Sequence, residues 1–283
     1  MDQHFMTSTK QMVVAEPVEV SMESSMVQLG NLGWMARILL WFCRAPGTPD
    51  YPMTGVHYES GTELKRLEEV FPDFTQIIQG KDVIDFGCGE GYQAVAFARA
   101  GAARVIGIEI HEPLIEAGCQ RIAGLGLEKT IQIERQIPAG LKADVIVSQN
   151  SFEHFLDAGK LLAEMRSALA PSGRLFITFA PPWYAPWGAH MAFFCRLPWV
   201  QLLFPERSLM EVRSLFRSDG ARSYRDAGLA QMSISKFERI VAAAGLRFLF
   251  KRYDCVREMN WLQRTPLREL FINRVSCVLS EPA

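Results

Sequence analysis

The stretch Val83-Ile84-Asp85-Phe86-Gly87-Cys88-Gly89-Glu90-Gly91 constrains this chain more than any other. A short apolar run, Asp82 to Phe86, has the length and bounds of a buried strand. It ends in three alternate glycines, and a helical pattern over Tyr92 to Ala100 follows. Glycine at such a turn permits a tight reversal and lets a ligand approach the backbone with no Cβ in the way. The start of the helix presents free N–H groups to polar ligand atoms. Asp85 sits inside the strand end, ahead of the first glycine. There a carboxylate repels a pyrophosphate and attracts a cationic amine. The spacing is Gly-x-Gly-x-Gly rather than the Gly-x-Gly-x-x-Gly of dinucleotide sites. An NAD(P)-dependent oxidoreductase is therefore the weaker alternative.

The regular pattern continues downstream. Strands are predicted over Arg104 to Ile110, Thr130 to Glu134, Asp144 to Ser148 and Arg174 to Ala180. Helices are predicted over Pro113 to Ala123 and Leu156 to Leu169. Strands alternating with helices at this spacing imply an open, largely parallel sheet covered on both faces. The pattern breaks at Pro181. Residues 182–232 are rich in aromatics, prolines and arginines, too long for an ordinary loop, and read as an inserted cap. A helix over Ser235 to Ala244 and strands over Leu246 to Tyr253 and Phe271 to Leu279 restore the order, the two strands suiting an antiparallel edge. Upstream, residues 1–26 read as a flexible arm and 27–60 as a helical or lid segment. Residues 61–283 form the main domain, with a helix over Gly61 to Phe71.

The 283 residues carry 30 basic and 31 acidic side chains, a formal charge of −1. That balance argues against a mainly electrostatic nucleic-acid binder. The apolar segment Trp34 to Cys43 is too short to span a bilayer and contains Arg37, so no transmembrane segment is expected. No secretory signal is evident at the start. Cysteines stand at 43, 88, 119, 195, 255 and 277 with no Cys-x-x-Cys spacing and no neighbouring His cluster. They read as reduced core thiols of a cytoplasmic protein, and no metal site is expected. A homo-oligomer is compatible with this composition.

A second acid, Glu109, lies at the tip of the next strand, 24 residues beyond Asp85. It is placed to grip two ribose hydroxyls, or to serve as a first-turn acid for the following helix. With the glycine turn, these residues resemble the class I S-adenosylmethionine-dependent methyltransferases, firmly over residues 60–181 and loosely over 233–281. The resemblance implies a Rossmann-like seven-stranded sheet in the order 3-2-1-4-5-7-6, with strand 7 antiparallel, helices on both faces and here a helical cap. It implies S-adenosyl-L-methionine as cofactor. Asp85 and the backbone of Gly87, Cys88, Gly89 and Gly91 would hold its methionine part, with Glu109 on the ribose and Ile110 beside the adenine. Where the family often has an acid after strand 3, this chain has Gln136 and Ile137, which are assigned to adenine. Gln149 and Asn150 emerge at the strand-order reversal, where ligands sit, and Glu153-His154 resembles a pair common in small-molecule members. Tyr58 is the candidate for an aromatic hydroxyl over the cofactor.

Such enzymes need a base only when the acceptor atom starts protonated. His190 is the first candidate, with Tyr184 and His154 as rivals. His154 is equally explained by a hydrogen bond at a helix start. The run of Phe193, Phe194, Leu197, Trp199, Leu202, Leu203 and Phe204 is expected to line or cover an acceptor site, or else to form the core of the cap or a subunit interface. Arg196, Arg207, Arg213 and Arg217 would meet an acidic group or face water. Ser148-Gln149-Asn150-Ser151 replaces the Asn-Pro-Pro-Tyr pattern of amide and nucleobase enzymes of this fold. The expected reaction is methyl transfer to a small, partly apolar molecule. A non-catalytic cofactor-binding or assembly protein of the same fold is the alternative.

Overall fold

The computed structural model describes residues 32–44 and 62–282. Tyr58 and the 1–26 arm lie outside these residues. The helices are α1 (Trp34–Leu40), α2 (Thr62–Glu68), α3 (Phe74–Ile78), α4 (Tyr92–Arg99), α5 (Glu112–Gly124) and α6 (Ala158–Ser167). After them come α7 (Val200–Leu203), α8 (Glu206–Arg213), α9 (Ile234–Ala243) and α10 (Arg268–Phe271). The strands are β1 (Asp82–Phe86), β2 (Arg104–Ile108), β3 (Ile131–Glu134), β4 (Ala143–Gln149), β5 (Leu169–Phe179), β6 (Arg247–Cys255) and β7 (Ile272–Ser280). They form one sheet in the order β3-β2-β1-β4-β5-β7-β6. The pairs from β3 to β5 are parallel, and β7 runs antiparallel to both β5 and β6. Strand order reverses between β1 and β4.

Alternation along the strands builds two cores. Val83, Val105, Val145, Phe176 and Val278 point to one face and pack with Phe74 and Phe97. Ile84, Ile106, Ile146, Ile177 and Cys277 point to the other and pack with Phe152, Leu162 and Phe237. Because both faces are covered, β1 and β2 bury the last four of their five residues, which is why they read as continuous apolar runs. The helices are started by local chemistry. Asp157 accepts from Lys160 N at 3.3 Å to begin α6, and Ser233 accepts from Lys236 N at 3.2 Å to begin α9. In α9, Ile234, Phe237 and Val241 repeat at three and four residues and form its buried face.

Element ends shift by one to three residues in several places, and two differences have a clear cause or consequence. β2 ends at Ile108, so Glu109 and Ile110 lie just past the strand tip. β5 starts at Leu169 rather than Arg174, because Leu169 pairs with Ala143 and a register shift absorbs the Pro171-Ser172-Gly173 corner.

The cap has a core of its own. Phe194, Val200, Leu209 and Val212 pack with Ala36 and Leu39 of α1, and Phe193, Leu197 and Phe204 join them. Phe194 stacks on Phe216 with ring centroids 4.8 Å apart. Of the readings open for this segment, acceptor-site lining, cap core or subunit interface, Phe194 takes the second: it is 1% exposed and packs in the cap core with α1. Trp199 donates through Nε1 to the Leu270 carbonyl at 3.2 Å, while Leu202 and Leu203 are exposed. Three of the four arginines have side-chain partners within the chain. Arg213 forms a two-pronged pair with Asp219, both contacts at 2.5 Å. Arg207 pairs with Glu211 at 2.9 Å, and Arg217 lies over the Phe193 ring at 4.5 Å. No described helix is long and apolar enough to cross a membrane.

Candidate cofactor site at the strand-order reversal

The C-terminal ends of β1, β2 and β4 converge where the order reverses. The glycine turn is tied to the tip of β2: Gly87 N and Cys88 N both donate to Ile108 O, at 2.9 and 3.0 Å. Gly87 has φ +83°, and a Cβ there would stand 2.5 Å from Ser151 Oγ. It therefore serves both a left-handed backbone and the close passage of the β4 exit loop. Gly89, at φ +53°, is different: a Cβ on it would meet nothing within 4 Å. The backbone at Gly89 borders open space, as a cradle for a ligand requires. The Cys88 side chain turns inward, so that a Cβ on Gly107 would stand 2.7 Å from its sulfur. Burial raises this thiol's pKa, and what remains for a ligand is the backbone of Cys88.

Asp85 is 2% exposed and shares the face of Val83, toward α4. Its Oδ1 accepts from Gln93 Nε2 at 3.1 Å, while Oδ2 is buried with no partner. Burial first, and the Glu109 charge second, push its carboxyl up to about 8, against an opposing hydrogen bond from the Ala94 backbone. A carboxylate in this state lacks a cation or donor at Oδ2. In the β1–β4 register Asp85 faces Val147, two residues short of Gln149. Gln149 Oε1 is a second buried acceptor without a partner. Asn150 follows at φ +52°, exposed, with its backbone N donating to Thr178 O at 2.8 Å.

Glu109 is 8% exposed and already engaged. Its Oε1 accepts from Ile110 N at 2.8 Å and His111 N at 3.0 Å, and its Oε2 from Gly89 N at 3.0 Å. These bonds tie Glu109 to the turn ahead of α5, whose first-turn acid is Glu112, and Oε2 keeps further lone-pair capacity. It also holds Gly89 against the β2 tip. Ile110 is 68% exposed, an uncovered apolar side chain beside the same crevice. Gln136 is exposed and Ile137 half-buried after β3.

The other wall comes from the β4 exit and the cap. His154 Nδ1 lies 3.0 Å from the Gly228 carbonyl, which can only accept, so Nδ1 carries the proton in that bond. The His154 and His190 rings meet edge to face, with centroids 5.1 Å apart. His190 is half-buried at φ +56°, with a hydrogen bond to the Pro181 backbone. Desolvation and the neighbouring His154 push its pKa down to about 4, so its imidazole is neutral at ordinary pH. Tyr184 stands 39% exposed on the turn after β5. Glu153, between β4 and His154, is 5% exposed, and burial pushes its carboxyl up to about 8. One of its oxygens accepts from Ala180 N at 3.4 Å and the other has no partner.

Two participants escape a reading of the sequence for cofactor and catalytic groups: Gln93 and Ser151. A signal existed for Gln93, a polar residue in the first turn after the glycines. Glu153 is legible beforehand as half of the Glu153-His154 pair. Ser151 against Gly87 is a contact between separate loops and left no local mark. Among the described residues, no group of three or more His, Cys, Asp or Glu is placed to hold a metal ion.

The crevice thus presents buried acceptor oxygens, at Asp85 and Gln149, around an open glycine backbone. These atoms suit a ligand that brings N–H and O–H donors and a positive charge, as the amino-acid and ribose ends of S-adenosylmethionine do. Comparisons with known proteins agree. A sequence model of the family described as a methyltransferase domain matches residues 56–249. The ribosomal protein L11 methyltransferase of Vibrio cholerae is 36% identical over 127 residues, 43% of this chain and 39% of that protein. The chain therefore spans about two fifths of the length of this curated relative. An S-adenosylmethionine-dependent methyltransferase from Mesorhizobium loti superposes with TM-score 0.51 at 18% identity, over 77% of this chain and 96% of that one. The [4+2]-cyclase SpnF does so with TM-score 0.52 at 15% identity, over 77% and 81%. The structural likenesses establish the fold, that of the class I S-adenosylmethionine-dependent methyltransferases, and the family match goes further: this chain belongs to the methyltransferase-domain family.

Proposed function

We propose that this protein transfers the methyl group of S-adenosylmethionine to a small, partly apolar acceptor bound between the β4 exit and the cap. The observation that carries this reading is how the cap is fastened across the strand ends. Ala230 N donates to Glu153 O at 3.2 Å, Gly228 O accepts from His154, and Trp183 N donates to Met232 O at 2.7 Å. A wall held this closely over the crevice favours an acceptor that fits beneath it.

When bound, the cofactor supplies a sulfonium methyl group for in-line attack. The chain's own part is to bind, orient and exclude water. Asp85, through its free Oδ2, and Gln149, through Oε1, hold the amino-acid end. Glu109 serves the ribose through the capacity left on Oε2. Ile110 and Ile137 flank the adenine, with Gln136 for its polar edge. Tyr58 contributes a hydroxyl over the cofactor. His190, neutral at ordinary pH, accepts the acceptor's proton where one must leave, and His154 is the ring that orients it. Tyr184 is the alternative proton acceptor.

The curated relative named above acts on a ribosomal protein, so a protein acceptor is the competing reading. The test is incubation with methyl-labelled S-adenosylmethionine, a panel of small apolar alcohols, phenols and amines, and a ribosomal protein fraction. Label in a small-molecule product supports the proposal. Label confined to protein overturns the acceptor class. No label anywhere, with cofactor bound, favours the non-catalytic alternative.

A further inference from the structure

Cys43 follows α1, and Cys195 lies about 150 residues later, in the cap ahead of α7. In the fold they form an isolated antiparallel bridge. Arg44 N donates to Phe194 O at 2.9 Å, and Arg196 N donates to Phe42 O at 3.1 Å. These bonds flank the cysteines and leave the pair itself without a mutual backbone hydrogen bond. That is the narrow kind of antiparallel pair, with Cα atoms roughly 4.5 Å apart and side chains on the same face. Such spacing lies within the ~4.4–6.8 Å range that a disulfide spans. Both thiols are free.

We propose that Cys43 and Cys195 are a redox-active dithiol that a hydroperoxide closes into a disulfide, clasping α1 to the cap. Access comes from a groove of about 480 Å³ lined by Trp41, Phe42, Cys43, Arg44, Arg196 and Leu197. Cys43 is half-buried and faces it, while Cys195 is 1% exposed behind. Cys43 Sγ donates to the Leu39 carbonyl at 3.3 Å, and the neighbouring sulfur holds the Cys195 thiol down to about 7 while that of Cys43 is pushed up.

The chemistry balances without a cofactor. The thiolate of the pair attacks one peroxide oxygen, so an S–O bond forms and the O–O bond breaks. The departing hydroxide takes the proton released by that thiol and leaves as water. The other cysteine then attacks the oxidised sulfur, the S–S bond forms and the S–O bond breaks. The second hydroxide takes the second thiol's proton as a second water. Two thiols lose two electrons, and the peroxide gains them. A dithiol reductant reverses the bond by exchange and is itself oxidised to a disulfide.

The test treats the reduced full-length chain with a small excess of hydrogen peroxide, then alkylates and maps it. Intact mass should fall by about two units and free thiols from six to four. A peptide cross-link should join Cys43 to Cys195, and dithiothreitol should remove it. Cys43→Ser, at the half-buried position, should abolish the cross-link while keeping the fold. The proposal is overturned if both cysteines remain alkylatable when the exposed Cys119 has already reacted. It is equally overturned if Cys43 or Cys195 is found only in bonds between chains. Neither reading requires the Cys195→Ser variant to fold, since the map is made on the wild-type protein.

Discussion

Replacing Asp85 with Asn should strengthen the fold and weaken the site at once. The carboxyl of Asp85 goes from its ordinary 3.8 up to about 8 when buried. A raised acid favours the folded state fully only below the unfolded value. As pH climbs from ~4 to ~8 the unfolded chain releases this proton and the folded chain keeps it, so stability falls across that window. Each unit is worth about 1.4 kcal/mol, so by about pH 7 the burden is at most ~4 kcal/mol. Asn keeps the shape and has no proton to retain. It should stabilise the ligand-free protein by about 2–4 kcal/mol near neutrality, roughly 5–10 °C in melting temperature. Glu153 titrates in the same direction, while His154 and His190, both pushed down, oppose it below their unfolded value of about 6.5, so the variant should halve the downward slope of stability only between about pH 7 and 8. Binding should move the other way. Losing a buried charge-assisted hydrogen bond costs about 1.5–3 kcal/mol, a tenfold to hundredfold loss of affinity for S-adenosylhomocysteine. In the wild type a proton competes for Oδ2, so affinity should rise as pH approaches about 8, and in the Asp85→Asn variant that rise should vanish. Thermal denaturation between about pH 5 and 8, with calorimetric titration of S-adenosylhomocysteine at the same values, reads both effects. A variant that melts below the wild type near pH 7 and binds as tightly would refute the reasoning.

Other substitutions separate structure from binding. Gly87→Ala places a Cβ 2.5 Å from Ser151 Oγ at a positive φ, and should lower the denaturation midpoint markedly. Gly89→Ala meets no neighbour, so it should cost only about 1–2 kcal/mol of backbone strain while removing most cofactor affinity, seen by the same titration. His190→Ala should slow the chemical step by about 10²–10⁴ with cofactor affinity unchanged, measured in single turnover once an acceptor is found. Because His190 is pushed down to about 4, the wild-type rate should show no histidine limb between about pH 5.5 and 7.5. Glu109→Ala strips a shared acceptor from Gly89 N, Ile110 N and His111 N, and should weaken binding at least tenfold.

What the residues reveal alone depends on how local each relation is. β1 can be read to the residue, because a five-residue apolar run ends at a glycine and both faces of the strand are buried. Asp85 and Glu109 stand out for the same reason, each an acid where an apolar strand stops. β5 is harder. Pro171 and Gly173 read as a break, and only the pairing of Leu169 with Ala143 carries the strand through them. The aromatics from Phe193 to Phe204 are ambiguous in sequence, because a pocket lining and a small core have the same composition. The arrival of α1 over Phe194 decides it. Gln93 on Asp85 and Cys43 against Cys195 depend on elements brought together by the fold, so no spacing announces them. Glu109 is legible as an acid at a strand tip, but its use of three backbone N–H groups is not, since those belong to a turn whose geometry the sequence only implies.

The most direct test of the central claim is a crystal structure of the complex with S-adenosylhomocysteine. The ligand's amino group is expected on Asp85 Oδ2, its ribose at Glu109, and its backbone-facing side along Gly89. A ligand bound elsewhere, with the space beside Gly89 closed by protein and Asp85 still joined only to Gln93, would contradict this placement.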